Sequence, residues 1–274
     1  MQREQFERLK RWFDDYVSGH YVPGDEFLNN NLRLKECHTR RVRGEMRSLS
    51  AALSMNGQDA VLAEAIALLH DVGRFAQFKT YRTYKDSRSE NHSVLGLRIM
   101  DEHRLIDDLP TEEQVIIRQA VEFHGAKELP TMDERAGHFA KMIRDVDKLD
   151  IYCLCVDNYR LYHENRDAFV LEVEFPDSAD ISPYILEAVL SNRLIDYGHI
   201  RTLTDAKLMQ LGWVFDVYFD WTLRQMRDRG YIKGIARWLP DSEPAQRALG
   251  HVQRYVDERL DNHDHSTPRN RSGN

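Results

Sequence analysis

The sequence predicts an all-α protein, and two observations support this prediction. Apolar residues recur at helical spacing along most of the 274-residue chain. Ser182 stands just before Pro183, and Ser242 stands before Glu243 and Pro244; both compositions are typical of helix starts, where the missing N–H of proline costs little. In the first segment, REQFERLKRWFDDYV, the helical spacing places four apolar residues on one stripe: Phe6, Leu9, Phe13 and Val17.

The same periodicity predicts the later helices in chain order. The segment FVLEVEFPD (169–177) alternates apolar and acidic residues and is also compatible with a short strand. The end of the chain, DNHDHSTPRNRSGN (261–274), has almost no apolar content, which predicts a disordered tail with solvated His263 and His265. The further helices are predicted at about 32–55, 59–71, 91–103, 111–124, 133–160, 204–229 and 243–260.

Composition and charge restrict the class of protein. With 42% hydrophobic residues the chain can bury a sizeable core, and we expect one domain over residues 1–260. A net charge of -7 argues against binding to a nucleic-acid polymer or to an acidic membrane, because both require a basic surface. Three cysteines, an opening segment without an apolar signal core and no run near the roughly 18 apolar residues of a membrane span predict a cytoplasmic protein.

A histidine and an aspartate end the most apolar helix, in AIALLHDVGRF (65–75). Both groups are costly to desolvate, so His70 and Asp71 need a reason to follow a buried helix. Gly73 is predicted to end that helix as a left-handed C-cap, which would let adjacent side chains converge. Taken alone, the pair also suits a histidine at the negative end of the helix dipole beside a surface acid.

Three other histidines and one other aspartate favour a metal-binding role for the His70–Asp71 pair. Each lies within or at the end of a separate predicted helix, and helical bundles build metal centres from such residues on facing helices. Each one also has a structural alternative, such as a helix-terminal histidine or an acid on a solvated face. The residues are His38, His92, His124 and Asp147.

His38, the doublet in ALLHDVGR and the aspartate in Asp-Lys-Leu (147–149) resemble the HD-domain superfamily of metal-dependent phosphohydrolases. The resemblance covers about residues 30–160 and implies an HD-domain helical bundle, here with additional C-terminal helices over 161–260. It also implies the ligands of a first metal ion, which are His38, His70, Asp71 and Asp147.

The stretch HSVLG (92–96) matches a His-x-x-x-Gly setting found in the two-metal branches of that superfamily. The likeness implies a second ion held by His92 and His124, with Asp71 bridging the two ions. The chain departs from the branch that hydrolyses cyclic dinucleotides, because Arg74 replaces its lysine and no Gly-Tyr-Pro follows. Cyclic-dinucleotide hydrolysis is therefore not supported.

The acids around Asp147 and the ligand types refine this expectation. Asp150 shares the helical face of Asp147, whereas Asp145 lies about 200° round, so Asp150 is expected to orient a ligand histidine. Imidazole and carboxylate ligands without thiolates favour one or two divalent transition-metal ions: Mn, Fe, Co, Ni or Zn.

The segment after the doublet, RFAQFKTYRTYKDSR, is locally basic in an acidic protein and predicts an anion-binding region. Arg74 is the preferred residue because it stands at the mouth of the expected site, while the others also suit a solvated loop. The aromatic residues recurring through the segment either stack on a nucleobase or belong to the core. The basic candidates are Arg74, Lys79, Arg82 and Lys85.

The predicted function is a metal-dependent phosphohydrolase in which Asp71 bridges the metals and a metal-activated water attacks a phosphomonoester or phosphodiester. Its expected partner is a small anionic phosphorylated substrate, with a nucleotide left open. The alternatives are an HD-fold di-iron oxygenase, which resembles the chain in the same ligand order, and a non-catalytic HD signalling module. Residues 161–260 either pack on the core or form a homodimer face.

Overall fold

The computed structural model describes residues 1–165 and 175–266, the last four of these as backbone only. Every regular element in these ranges is helical, which confirms the predicted all-α class. None of the described helices combines the length and the apolar character needed to cross a bilayer. The chain divides into two compact units, Met1–Asp150 and the residues from Ile151 onward, where the sequence led us to expect one domain.

The first unit contains six complete helices and the start of a long seventh. Helix α3 is its central element, because every residue from Val61 to Leu69 is buried and α1, α2 and α6 pack against it. The predicted stripe of α1 is buried as expected. The helices are α1 (Arg3–Ser18), α2 (Glu26–Ala52), α3 (Gly57–Leu69), α4 (Gly73–Tyr81), α5 (His92–Glu102), α6 (Thr111–Phe123) and α7 (Glu134–Glu164).

Gly73 does not have the predicted role of a left-handed C-cap. Among the described glycines, only Gly24 and Gly230 have positive φ, and α3 ends at His70 in the ordinary right-handed conformation. Gly73 instead begins α4, a helix that was not predicted from the sequence, at a point where α4 meets α5. A Cβ atom there would lie 2.7 Å from the backbone nitrogen of Gly96 and closer still to the carbonyl oxygen of His92. The glycine is therefore required by close packing and not by backbone conformation.

The second unit has short helices where the sequence predicted one long helix over 204–229. A 3-10 turn at Trp213–Asp216 and an extended link interrupt that helix. The guanidinium of Arg259 donates to the carbonyls of Val217 and Tyr218 and to the carboxylate of Asp220, so it satisfies groups that the interruption releases. The helices are α8 (Pro183–Leu190), α9 (Leu203–Gly212), α10 (Asp220–Asp228), α11 (Tyr231–Ala236) and α12 (Glu243–Ser266).

In this unit the predicted starts of α8 and α12 agree with the structure, whereas the predicted end of α12 does not. Helix α8 has Ser182 as its N-cap residue and α12 begins at Glu243, both as expected. Helix α12 continues to Ser266, past the predicted start of the tail at 261. Most of the segment 169–177, where a strand was considered, and residues 267–274 lie outside the described ranges.

Candidate metal centre

The C-terminal end of α3 brings a histidine and an aspartate into the interior of the first unit. His70 is fully buried and Asp71 nearly so, because the helix that carries them is enclosed by its neighbours. The Nδ1 atom of His70 lies 2.9 Å from the carbonyl oxygen of Ala67, one turn back along the chain. The orientation of the His70 ring is thus set by a contact within its own helix and needs no residue from another helix.

The structure brings all six proposed ligand residues together in this unit. His38 comes from α2, His92 is the first residue of α5, His124 follows α6 and Asp147 lies on α7. Their ligand atoms form three overlapping groups, in each of which all atoms lie within 4.8 Å of one another. The groups are His38, His70 and Asp71; His70, His124 and Asp147; and Asp71, His92 and His124.

Asp71 stands between two pairs of histidines. Its Oδ2 lies 3.5 Å from the Nε2 of His38 and 3.7 Å from that of His70. Its Oδ1 lies 3.6 Å from the Nε2 of both His92 and His124. The Nε2 atoms within each pair are 3.4 and 3.1 Å apart. One carboxylate therefore offers a separate oxygen to each pair.

The choice among the acids of α7 is also visible in the geometry. Asp147 Oδ1 lies 3.2 Å from the Nε2 of His38 and 3.9 Å from that of His70, so it adds a carboxylate to that pair. Asp150 reaches the other side of His38, with its Oδ2 2.7 Å from Nδ1. Arg41 donates to both oxygens of Asp150. The ligand and orienting roles assigned from sequence remain predictions to which these positions conform.

All four histidines have Nδ1 bonded to an oxygen and Nε2 directed toward Asp71. Carbonyls and ionised carboxylates only accept hydrogen bonds, so each Nδ1 carries a hydrogen, and in the neutral form of each ring the Nε2 presents its lone pair. That is the tautomer that metal coordination requires, and the residues therefore fit a metal ion. The Nδ1 partners are Asp150 for His38, the Ala67 carbonyl for His70, Asp86 for His92 and the Val121 carbonyl for His124.

Two cations lie against the central carboxylate. The Nζ of Lys35 is 3.1 Å from Asp71 Oδ2, and the Nε of Arg74 is 3.4 Å from Oδ1. Burial raises the pKa of Asp71, but Lys35, His70 and Arg74 outweigh it and hold the pKa well below its usual range. Burial lowers the pKa of His70 to about 4. Asp71 is therefore ionised and His70 neutral near pH 7, the protonation states that metal ligands need.

His38 differs from His70 because acids surround it. Burial and Lys35 lower its pKa, but the hydrogen bonds to Asp147 and Asp150 outweigh them, and the pKa is raised overall. Burial raises the pKa of Asp147, but its contacts with His38 outweigh burial and bring the pKa below its usual range. The acids around His38 thus favour its protonated form by more than burial and Lys35 disfavour it.

Of the four predicted anion-binding residues, the structure brings Arg74 to the ligand cluster. Lys79 is exposed and donates to the carbonyl of Gly19, and Arg82 pairs with Asp25 at 2.8 Å. Lys85 is half-buried in the loop before α5. The aromatic residues that were candidates for base stacking divide likewise: Phe75 and Phe78 are buried core, Tyr84 lies beside Lys35 and Arg74, and Tyr81 is exposed.

Three residues that contact the cluster were not predicted from the sequence. Lys35 lies three residues before His38 on α2, so helical spacing could have found it. Asp86, the one acid of the basic segment, contacts His92. Arg144 donates to the carbonyls of Phe123, His124 and Ala126 and so holds the turn that carries His124. No local pattern predicts the last two contacts.

Comparison with known families and proteins gave one match. The family model of the HD domain matches residues 36–158, a range that contains all six clustered residues. Comparison with curated proteins and with solved structures gave no significant match.

Proposed function

From the match of the HD-domain family model to residues 36–158, we propose that the protein is a metal-dependent phosphohydrolase. Its proposed substrate is a small phosphomonoester or phosphodiester. The observation that carries the proposal is the position of Asp71, whose two oxygens face two separate pairs of histidine Nε2 atoms. This arrangement supports two neighbouring metal sites that share one carboxylate.

The proposed ligands divide between the two sites by distance. The first ion would be held by His38, His70 and Asp147 with one oxygen of Asp71, and the second by His92 and His124 with the other oxygen. Imidazole and carboxylate ligands suit Mn, Fe, Co, Ni or Zn. A bound ion of this kind would polarise a phosphoryl oxygen and lower the pKa of a coordinated water.

The cations beside Asp71 support an anionic substrate. Lys35 and Arg74 bring positive charge within 3.1 and 3.4 Å of its two oxygens. Among the described residues, the buried Nε of Arg74 has no hydrogen-bond partner and lies 3.4 Å from Asp71 Oδ1, so its N–H remains a donor for a phosphoryl group bound beside Asp71. Lys35 is partly exposed, so an anion from solvent can reach its ammonium. Charge that develops on phosphate during hydrolysis would be stabilised by both groups.

The overall charge supports a small substrate and not a polymer. The chain carries a net charge of -7, and the positive groups near the centre are local. A nucleic-acid polymer needs a continuous basic surface, because its affinity depends on releasing many counterions. A phosphorylated small molecule needs only the few donors that Lys35 and Arg74 provide.

The test combines metal analysis with activity. The purified protein is assayed for bound transition metal and for release of phosphate or alcohol from generic phosphomonoesters and phosphodiesters with Mn²⁺. We expect Lys35→Gln to lower kcat/KM about tenfold or more, because a charge-assisted hydrogen bond contributes about 1.5–3 kcal/mol. Lys79→Gln is the matched control and should retain activity, since Lys79 is exposed and bonds a distant carbonyl.

Failure of the proposal has two distinguishable forms. Oxygen consumption by the metal-loaded protein without any ester hydrolysis would favour the di-iron oxygenase alternative. Stoichiometric metal binding with neither activity would favour a non-catalytic HD module. Equal activity of the Lys35 and Lys79 variants would show that Lys35 does not contact the substrate.

A further inference from the structure

Asp86 contacts two parts of the centre without being one of its proposed ligands. It lies in the 3-10 turn Asp86–Arg88, between α4 and α5. Its Oδ2 is 2.7 Å from the Nδ1 of His92. Its Oδ1 accepts hydrogen bonds from the Nη1 of Arg74 at 2.9 Å and from the Nε2 of Gln77 at 2.8 Å. Each oxygen of this carboxylate therefore holds a different functional side chain.

We propose that Asp86 is the positioning residue of the second metal site and that it also fixes Arg74 for anion binding. The metal and anion parts of this inference rest on the proposed function. Its structural part, that Asp86 sets the ring orientation and tautomer of His92, does not.

The need for Asp86 follows from where His92 stands in its helix. His70 and His124 follow the ends of α3 and α6, and each bonds the carbonyl three residues earlier in its own chain segment. His92 is the first residue of α5, so no helical turn precedes it to supply such a carbonyl. A side chain from the preceding loop must then orient the ring, and Asp86 does so.

His38 has an equivalent partner on the other side of the centre. Asp150 contacts its Nδ1 at the same 2.7 Å separation and is itself held by Arg41. Each proposed metal site thus contains one histidine oriented by a backbone carbonyl and one oriented by a carboxylate. Carboxylate partners of ligand histidines typically change metal affinity by 10- to 100-fold when they are removed.

Hydrogen bonds from α4 hold the turn that carries Asp86. Gln77 of α4 is fully buried, and its amide donates to Asp86, to the hydroxyl of Ser89 and to the carbonyl of Glu90. Arg74 adds a bond to the carbonyl of Tyr84. These bonds tie both ends of the loop to α4, so the carboxylate is held in place before a metal ion or a substrate binds.

The experiment titrates Mn²⁺ into the metal-free protein by calorimetry. We expect two Mn²⁺ sites in the wild type. In Asp86→Ala, one of the two, the site of His92 and His124, should bind 10- to 100-fold more weakly, and in Asp150→Ala the site of His38 and His70 should be the weaker one. Ser87→Ala, an exposed neighbour in the same turn, should titrate like the wild type. Asp86→Asn, which keeps one acceptor oxygen, serves if the alanine variant does not fold. At saturating Mn²⁺, inorganic phosphate should bind more weakly to Asp86→Ala than to Asp150→Ala.

A second readout needs no metal. Long-range ¹⁵N–¹H NMR of the metal-free protein should show the hydrogen of His92 on Nδ1 in the wild type and a mixture of tautomers in Asp86→Ala. Rescue of the wild-type signal by Asp86→Asn would support an orienting role over a merely structural one.

The outcomes separate this inference from the proposed function. Two Mn²⁺ sites that are both unaffected by Asp86→Ala would overturn the inference and leave the proposed function standing. Fewer than two sites in the wild type would count against the proposed two-metal function, and the His92 tautomer would then decide the inference alone. An unchanged tautomer overturns it. Equal phosphate affinity in the two alanine variants would overturn the part that concerns Arg74.

Discussion

Replacement of Gly73 by alanine tests whether close packing of α4 against α5 builds the centre. A Cβ atom at this position would lie 2.7 Å from the backbone nitrogen of Gly96 and closer still to the carbonyl oxygen of His92. Side-chain carbons essentially never approach other heavy atoms closer than 3.0 Å, and both neighbours here are backbone atoms. No rotamer change can relieve the clash, so the two helices must separate and displace His92.

The expected cost lies at the upper end of the range for overpacking in a core. Extra methyl groups in a packed core cost about 1–3 kcal/mol when side chains can adjust, so we expect about 3 kcal/mol for this backbone clash. For a unit of this size that corresponds to a fall in Tm of roughly 6–12 °C. The variant should also bind the second Mn²⁺ more weakly, because His92 moves with α5.

Two other glycines provide matched controls, and thermal denaturation with calorimetric metal titration is the assay. Gly44 lies on the exposed face of α2 with no atom near its added Cβ, so Gly44→Ala should stabilise the protein by about 0.5–1 kcal/mol. Gly96→Ala should be nearly neutral, since its closest neighbours, at 3.4 and 3.5 Å, are in ordinary contact. A Gly73→Ala protein that melts within 2 °C of the wild type (about 2–4 °C corresponds to 1 kcal/mol) would refute the argument.

Three further predictions concern the centre and the two units. Asp71→Ala should abolish metal binding, measured by elemental analysis, and any hydrolysis, while far-UV circular dichroism stays near that of the wild type; full metal content would show that the ligand assignment is wrong. Burial raises the pKa of Asp59, but hydrogen bonds from Arg135 and Asn56 outweigh it and bring the pKa below the usual 3.8. The Asp59–Arg135 pair therefore stabilises the protein fully above pH 3.8, and this stabilisation is lost as the pH falls through the folded-state pKa of Asp59. Arg135→Gln should therefore cost up to about 1 kcal/mol in urea unfolding at pH 7 and less near pH 3, and a constant difference would contradict the pairing. Arg259→Ala removes three hydrogen bonds from the link between α9 and α10 and should lower the free energy of unfolding, measured by chemical denaturation, by about 2–3 kcal/mol. Arg254→Ala, on the exposed face of α12, should change it by no more than about 0.5 kcal/mol. Equal stabilities of the two variants would show that the link does not depend on Arg259.

The amino-acid sequence by itself determined the helical class and most helices of the first unit to within a few residues; α4 was not predicted, and α2 begins at Glu26, six residues before its predicted start at 32. This was possible because the apolar stripe of a helix consists of residues three and four positions apart, which can be recognised in the sequence. The sequence also identified His38, the His70–Asp71 doublet and the other residues that the structure gathers at the end of α3, and the HD-domain match confirms the resemblance drawn from them. Residue type and spacing carried that information.

Only the tertiary structure decided how those residues are held and which cations reach them. The close approach that requires Gly73 joins two helices whose contact is not encoded in either one. Likewise, Asp86 reaches His92, and Arg259 reaches the link that interrupts the predicted helix at 204–229. Hydrogen bonds of this kind join groups from separate elements, so they depend on how those elements pack. Periodicity indicates which face of a helix is buried, but packing alone determines what that face meets.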